Sequence, residues 1–265
     1  MEFPVRYILL SLALTAATAG AQDLASRVTS IRNGTVRLQF AADSGVCGNG
    51  RGNISVRRDD GRTTVSGTNI NTSRRRDEEW EDDCEPGPVR LAVDVADGRV
   101  TALRSYVGGR WRSEADRDLG EVPPSQAIAF LMQVAASADA RVARDAVFPA
   151  LIAQGPSPDA QLLAIAKDEA RPRDVRTNAT FWLSQSAGDR VGAGLEELMD
   201  DPDRQVREQA VFALSQRPND ESVPALIRLA RTHEDPQVRR RAVFWLGQKR
   251  DPRALRYFEE VLLSK

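Results

Sequence analysis

The chain has 265 residues, 41% hydrophobic and 28% charged. That is long enough for one large domain or two smaller ones, and too apolar for wholesale disorder. Its 37 basic and 38 acidic side chains leave a formal charge of −1, which removes the broad basic footprint of a nucleic-acid binder. The single histidine, His233, excludes multi-histidine metal centres and leaves one candidate for any histidine-assisted nucleophile.

At the N-terminus an apolar run over 7–19, YILLSLALTAATA, follows Arg6 and leads into Ala19-Gly20-Ala21. A short apolar core followed by small-x-small is the pattern of a secretory signal peptide, here 1–21 with cleavage after Ala21. No later apolar run reaches membrane length. The expectation is an exported chain, periplasmic or extracellular, with no membrane span after processing. Export also sets the reading of the two cysteines. In an oxidising compartment Cys47 and Cys84 pair most simply as a disulfide, since no C-x-x-C spacing or neighbouring histidine suggests a metal or redox site.

Residues 22–115 read as β. Val36 to Phe40 alternates apolar and polar, Ile54-Ser55-Val56 repeats the alternation briefly, and Val89 to Val95 restores it. Asp97-Gly98 then supplies a hairpin turn before Val100 to Val107. Between these strands lies a polar stretch, 48–88, whose centre sets Arg74-Arg75-Arg76 against the acidic run from Asp77 to Asp83 around Trp80. It lacks the spaced ligands and pivot glycine of a calcium loop, so a self-compensating solvated loop anchored by Cys84 is the stronger reading. Residues 116–123 read as a linker.

From Pro123 the apolar spacing becomes helical and repeats. Four segments align without gaps from Val142, Val175, Val206 and Val238, with starts 33, 31 and 32 residues apart. Each carries alanine four residues on (Ala146, Ala179, Ala210, Ala242) and phenylalanine six on (Phe148, Phe181, Phe212, Phe244). Three carry glutamine ten on (Gln185, Gln216, Gln248) and arginine beside the valine (Arg176, Arg207, Arg239). A period in the low thirties means stacked helical repeats. Each copy reads as two helices joined by an acidic, proline-bearing turn, Asp201-Pro202-Asp203 in one and Glu234-Asp235-Pro236 in another, which favours a new helix N-terminus. A final helix, Pro252 to Leu263, carries Arg256, Glu259 and Glu260 and is expected to cap the stack with a wet outer side.

The strings Asp-Pro-Asp-Arg-Gln-Val-Arg-Glu-Gln-Ala at 201–210 and Glu-Asp-Pro-Gln-Val-Arg-Arg-Arg-Ala at 234–242 resemble the HEAT-like repeat family, in the short bacterial form also found in phycobilisome lyases. The resemblance covers 124–265 and implies an all-α solenoid of about four helix pairs plus a capping helix, behind a small all-β domain. Such arrays mostly serve as scaffolds.

Within each second helix the valine and the positions four, seven and eight later share a sector of about 100°, which is the core stripe. The positions six and ten later fall outside it. Phe148, Phe181, Phe212 and Phe244, with Gln185, Gln216 and Gln248, would therefore form a ladder able to hold an extended peptide. Packing between neighbouring second helices is the competing reading for a repeated aromatic, and Trp182 and Trp245 favour it. No nucleotide, hydrolase or metal motif is present, and His233 falls in an inter-helix turn. The sequence thus points to a non-enzymatic scaffold or adaptor for a protein or peptide, needing no cofactor or metal and no nucleic acid. The alternatives are a lyase-like enzyme or enzyme accessory subunit, and a structural envelope protein.

Overall fold

A computed structural model describes residues 24–51, 53–57, 63–66, 84–111, 114–184 and 189–263. The expected signal peptide 1–21, the charge block with Trp80, and Gln185 lie outside the described residues. The chain divides into two compact units, 1–156 and 157–265.

The first unit is built on the strands that the alternation marks. Gly34–Phe40 is β1, and its inward residues Val36, Leu38 and Phe40 are fully buried. It pairs antiparallel with Val89–Ala96, setting Val36 beside Val93, Leu38 beside Leu91 and Phe40 beside Val89. Such cross-strand apolar pairs on one face are the unit of sheet stabilisation. The strands of this unit in chain order are β1, β2 (Val46–Gly48), β3 (Ile54–Arg57), β4 (Thr63–Ser66), β5 (Glu85–Pro86), β6 (Val89–Ala96), β7 (Arg99–Tyr106) and β8 (Arg117–Glu121). They form two four-stranded sheets, ordered β7-β6-β1-β8 and β4-β3-β2-β5. The β6–β7 turn has Asp97 at φ 51° and Gly98 at φ 72°; two successive positive φ values match the right-handed strand twist, which is why Asp-Gly serves there.

Cys47 on β2 and Cys84 just before β5 are disulfide-bonded, closing a separation of 37 residues within the smaller sheet. On the chain-entropy model such a loop contributes roughly 3–4 kcal/mol.

Two features of this unit differ from the sequence expectation. The stretch 116–123 contains β8, an exposed edge strand lying parallel to β1. Its sequence, RDLGE, has no apolar alternation; it is held by the β1 ladder and by an ion pair from Arg37 to Asp118 at 2.7 Å. The first helical pair, α1 (Pro124–Ser137) and α2 (Ala140–Leu151), belongs to this unit, so the compact boundary follows Pro156 and not residue 123. α2 packs on β7, and backbone bonds from Asp43 to Ile152 and from Gln154 to Ala41 pin its end beside β1. Helical periodicity reveals a buried stripe but not which element buries it.

The second unit is helical: α3 (Asp159–Lys167), α4 (Arg173–Leu183), α5 (Asp189–Glu197, followed by a 3-10 turn Leu198–Asp200), α6 (Arg204–Ser215), α7 (Asn219–Thr232), α8 (Pro236–Gly247) and α9 (Pro252–Leu263). Asp203 and Asp235 cap α6 and α8, each accepting from the backbone N–H two residues on. Within each pair the helices pack together: α3 on α4, α5 on α6, α7 on α8. Between pairs, α4, α6 and α8 pack in a row, and α3 touches α5. Gly194 of α5 makes that last approach close, since a Cβ there would meet the Leu163 side chain at 2.5 Å. The core stripe lies where the spacing puts it, with Val175, Ala179, Leu183, Val206, Ala210, Leu214, Val238, Ala242 and Leu246 all buried.

Candidate functional site

The position six residues after each repeat valine lies off the core stripe, on the flank of each second helix. Because α4, α6 and α8 form a row, these flanks come together. The Phe181 and Phe212 rings stack at 6.4 Å with planes only 4° apart. Trp182 meets Phe181 edge-on at 5.2 Å. Phe212 does not reach Phe244 directly; Trp245 lies between, 5.2 Å from Phe212 and 5.0 Å from Phe244. The result is one aromatic row, Trp182–Phe181–Phe212–Trp245–Phe244, crossing three successive second helices.

Burial along this row is graded. Phe181, Trp182, Phe212 and Trp245 are half-buried, and Phe244 is 51% exposed. Each ring contact contributes about 0.5–1.5 kcal/mol beyond area burial. The row therefore clamps neighbouring helices with its inner edges and leaves its outer edges accessible to solvent. Phe148 is 8% exposed, in α2 of the first unit. The glutamines have a simpler local cause. Gln216 and Gln248 are the C-cap residues of α6 and α8. Gln216 is half-buried with its amide donating to Ser215 Oγ at 3.1 Å, while Gln248 is exposed.

The arginines after Val175, Val206 and Val238 hold the turns between helices, and Arg176 and Arg207 reach the turn of the next repeat. Arg176 is buried, donates from Nε to the Ala166 carbonyl at 2.9 Å, and pairs with the Asp201 carboxylate in the next turn. Arg207 donates to the carbonyls of Asp201 and Pro202 at 2.7 and 3.0 Å and faces Asp235 at 2.9 Å. Arg239 holds the carbonyls of His233 and Glu234 at 2.6 and 2.8 Å. His233 is placed by the same turn: Nδ1 accepts from the Asp235 N–H, and Nε2 lies 3.3 Å from Asp200.

An open groove of about 450 Å³ lies at the N-terminal ends of α4 and α6, lined by Glu169, Arg173, Arg176, Pro202, Asp203, Arg204 and Gln205. Each of its arginines is paired with a carboxylate: Arg173 with Asp203 of the lining, Arg176 with Asp201, and Arg204 with Glu208 at 2.8 Å. The hydrogen bond from Arg173, with the α6 cap, holds the Asp203 carboxyl below the usual range. No cluster of three or more histidine, cysteine or acidic side chains is placed to hold a metal among the described residues.

These stacked pairs, with capped acidic turns and an arginine after the conserved-spacing valine, have a counterpart among known families. Residues 193–265 match the family model of HEAT repeats. This stretch is a HEAT-like repeat segment. The match spans α6 to α9 and most of α5, so the HEAT assignment covers the outer part of the aromatic row, from Phe212 to Phe244. No curated protein matches the chain, and the β region has no family match. HEAT repeats commonly mediate protein–protein interaction.

Sequence reasoning found the phenylalanines and missed Trp245 as the link between two of them. The signal was present: tryptophan stands seven residues after Val175 and Val238, alanine after Val206. It reads as packing because the seventh position falls within the core sector.

Proposed function

We propose that the protein is an exported interaction scaffold with no catalytic activity of its own, gripping a protein or peptide along the aromatic row of its repeats. The observation that carries this reading is the row itself. Five rings cross three second helices with their outer edges accessible, and the most exposed ring, Phe244, is held against Trp245 and not loose in solvent. Aromatic side chains anchor interfaces because they bring large apolar area at small entropic cost. Gln248 adds an exposed amide one turn beyond Phe244. The four sequence copies between 124 and 265 support a HEAT-like solenoid of four repeats, of which the family match covers the last part. The apolar leader with Ala19-Gly20-Ala21, and the Cys47–Cys84 bond, support export.

The test is affinity capture from the native envelope fraction with wild-type protein and with Phe244→Ser. Proteins bound by the wild type and lost with the variant, at an unchanged melting temperature, are the expected result; an identical bound set removes the row from recognition. Mass spectrometry of the exported protein is expected to show Gln22 at its N-terminus.

A further inference from the structure

The aromatic row is not uniform in charge along its length. The positions two and three after each repeat valine precede the phenylalanine by one helical turn and lie within about 60° of it around the helix, so they border the row on one side. On α4 they are Thr177 and Asn178, on α6 Glu208 and Gln209, on α8 Arg240 and Arg241. From Phe181 towards Phe244 the border thus passes from uncharged to acidic to basic. Its carboxylate is already engaged twice: Glu208 accepts from Arg204 at 2.8 Å and from Arg241 at 2.6 Å. Two guanidiniums share that carboxylate, and Arg240, exposed one turn before Phe244, has no carboxylate partner among the described residues. Elsewhere in the second unit Arg173, Arg176, Arg207, Arg228 and Arg231 each face a carboxylate. The unmatched positive charge therefore lies beside Phe244, the most exposed ring of the row.

We infer that the row takes an extended acidic segment of a partner protein, with an apolar side chain seated on Phe244 and Trp245 and a neighbouring Asp or Glu pairing with Arg240. This rests on the reading of the row as the binding surface and adds the chemistry of what it binds. The rings supply apolar anchoring. The Arg240 guanidinium keeps its donors for a ligand carboxylate, with which it forms strong charge-assisted hydrogen bonds. Complementary charge of this kind selects partners and speeds encounter more than it adds affinity. A nucleic-acid strand fits less well, because its phosphates call for cations along the whole track, and Thr177 and Asn178 on the α4 border carry no charge.

The experiment screens a bead-bound library of random, C-terminally amidated nonapeptides with the processed chain and with its Phe244→Ser and Arg240→Glu variants. Both substitutions are at exposed positions, and an unchanged thermal melt is checked for each. The wild type is expected to retain peptides that carry Asp or Glu beside a large apolar residue, and Phe244→Ser to retain few. Arg240→Glu is expected to turn the preference towards Lys and Arg. For an enriched peptide, exchanging its Asp for Asn should weaken wild-type binding by about fivefold. Peptides lost with Phe244→Ser that show no acidic preference, or that are indifferent to Arg240→Glu, overturn this inference and leave the row as the binding surface. Retention that survives Phe244→Ser, or no retained peptide at all, overturns both. Displacement of the retained peptides by oligothymidylate at matching concentration overturns a peptide as the occupant.

Discussion

At the scale of single residues, the arginine beside each repeat valine shows how one residue type serves different environments. Arg176 is 4% exposed and Asp201 8%, so their pair lies in a low-dielectric setting where an abandoned partner is costly. Removing one member of a buried pair typically costs about 3–5 kcal/mol, whereas replacing both with apolar residues of similar volume is often neutral. Arg176→Ala is therefore expected to destabilise the chain by about 3 kcal/mol in urea unfolding, and Arg176→Met with Asp201→Leu to recover most of that loss. Arg207 and Asp235 are the equivalent pair one repeat on, each partly solvated, and the same removal there should cost less. The aromatic positions divide in the same way. Phe212→Ala loses contacts to two helices and is expected to lower stability as well as binding, whereas Phe244→Ser acts at the surface. Periodicity identified which residues are equivalent; it carried no information on how deeply each is covered, which is why the phenylalanines could be named from sequence but not graded.

At the scale of elements, α9 differs most from what its sequence suggests. Arg256, Glu259 and Glu260 give it the look of a cap with a wet outer face, but Leu255, Val261 and Leu262 share the exposed surface. Its attachment is polar at the start. Asp251 accepts from the Arg253 backbone N–H at 2.8 Å and from its guanidinium at 2.8 and 3.0 Å, and Arg253 also donates to the Asn219 carbonyl on α7. The hydrogen bond from the Arg253 side chain, with the backbone bond beside it, lowers the Asp251 carboxyl from its ordinary 3.8 to about 2. A carboxylate whose folded value lies below its unfolded one stabilises fully above the unfolded value and loses that contribution as pH falls through the folded one. Hydrogen exchange in α9 is therefore expected to accelerate as pH falls from about 4 to 2 beyond the intrinsic pH dependence of the chemistry, and Asp251→Asn should abolish that extra step. The β elements show the converse limit of sequence reading. β1, β3, β6 and β7 announce themselves by alternation or by a turn dipeptide, while β2, β5 and β8 are short or polar; β5 and β8 are held by ladder bonds to strands distant in sequence, and β2 by bonds to both β3 and β5.

At the scale of the whole molecule, the balanced charge has a structural use in the second unit. Lys167 pairs with Glu197, Glu196 with Arg228, Arg231 with Glu260, Arg173 with Asp203, and Glu208 with Arg241. Each pair spans about one repeat. Exposed pairs contribute only about 0–1 kcal/mol each, but opposite signs at a fixed period favour one register of stacking over its neighbours. The composition displayed the balance; only the repeat spacing explains it.

The backbone bonds that fasten Asp43 to Ile152 and Ala41 to Gln154 also dictate an order of events in folding. β1 pairs with β6 and β8, 50 to 80 residues along the chain, and its far end waits for residues beyond 150. The second unit needs only neighbouring helices. Non-local pairing is slow and local helix pairing fast, so refolding is expected to show a rapid rise in helical circular dichroism before the β signal is complete. A chain threaded from its N-terminus would thus present its earliest segments as unpaired edges for the longest time, and the Cys47–Cys84 bond is the one covalent restraint placed within that waiting region.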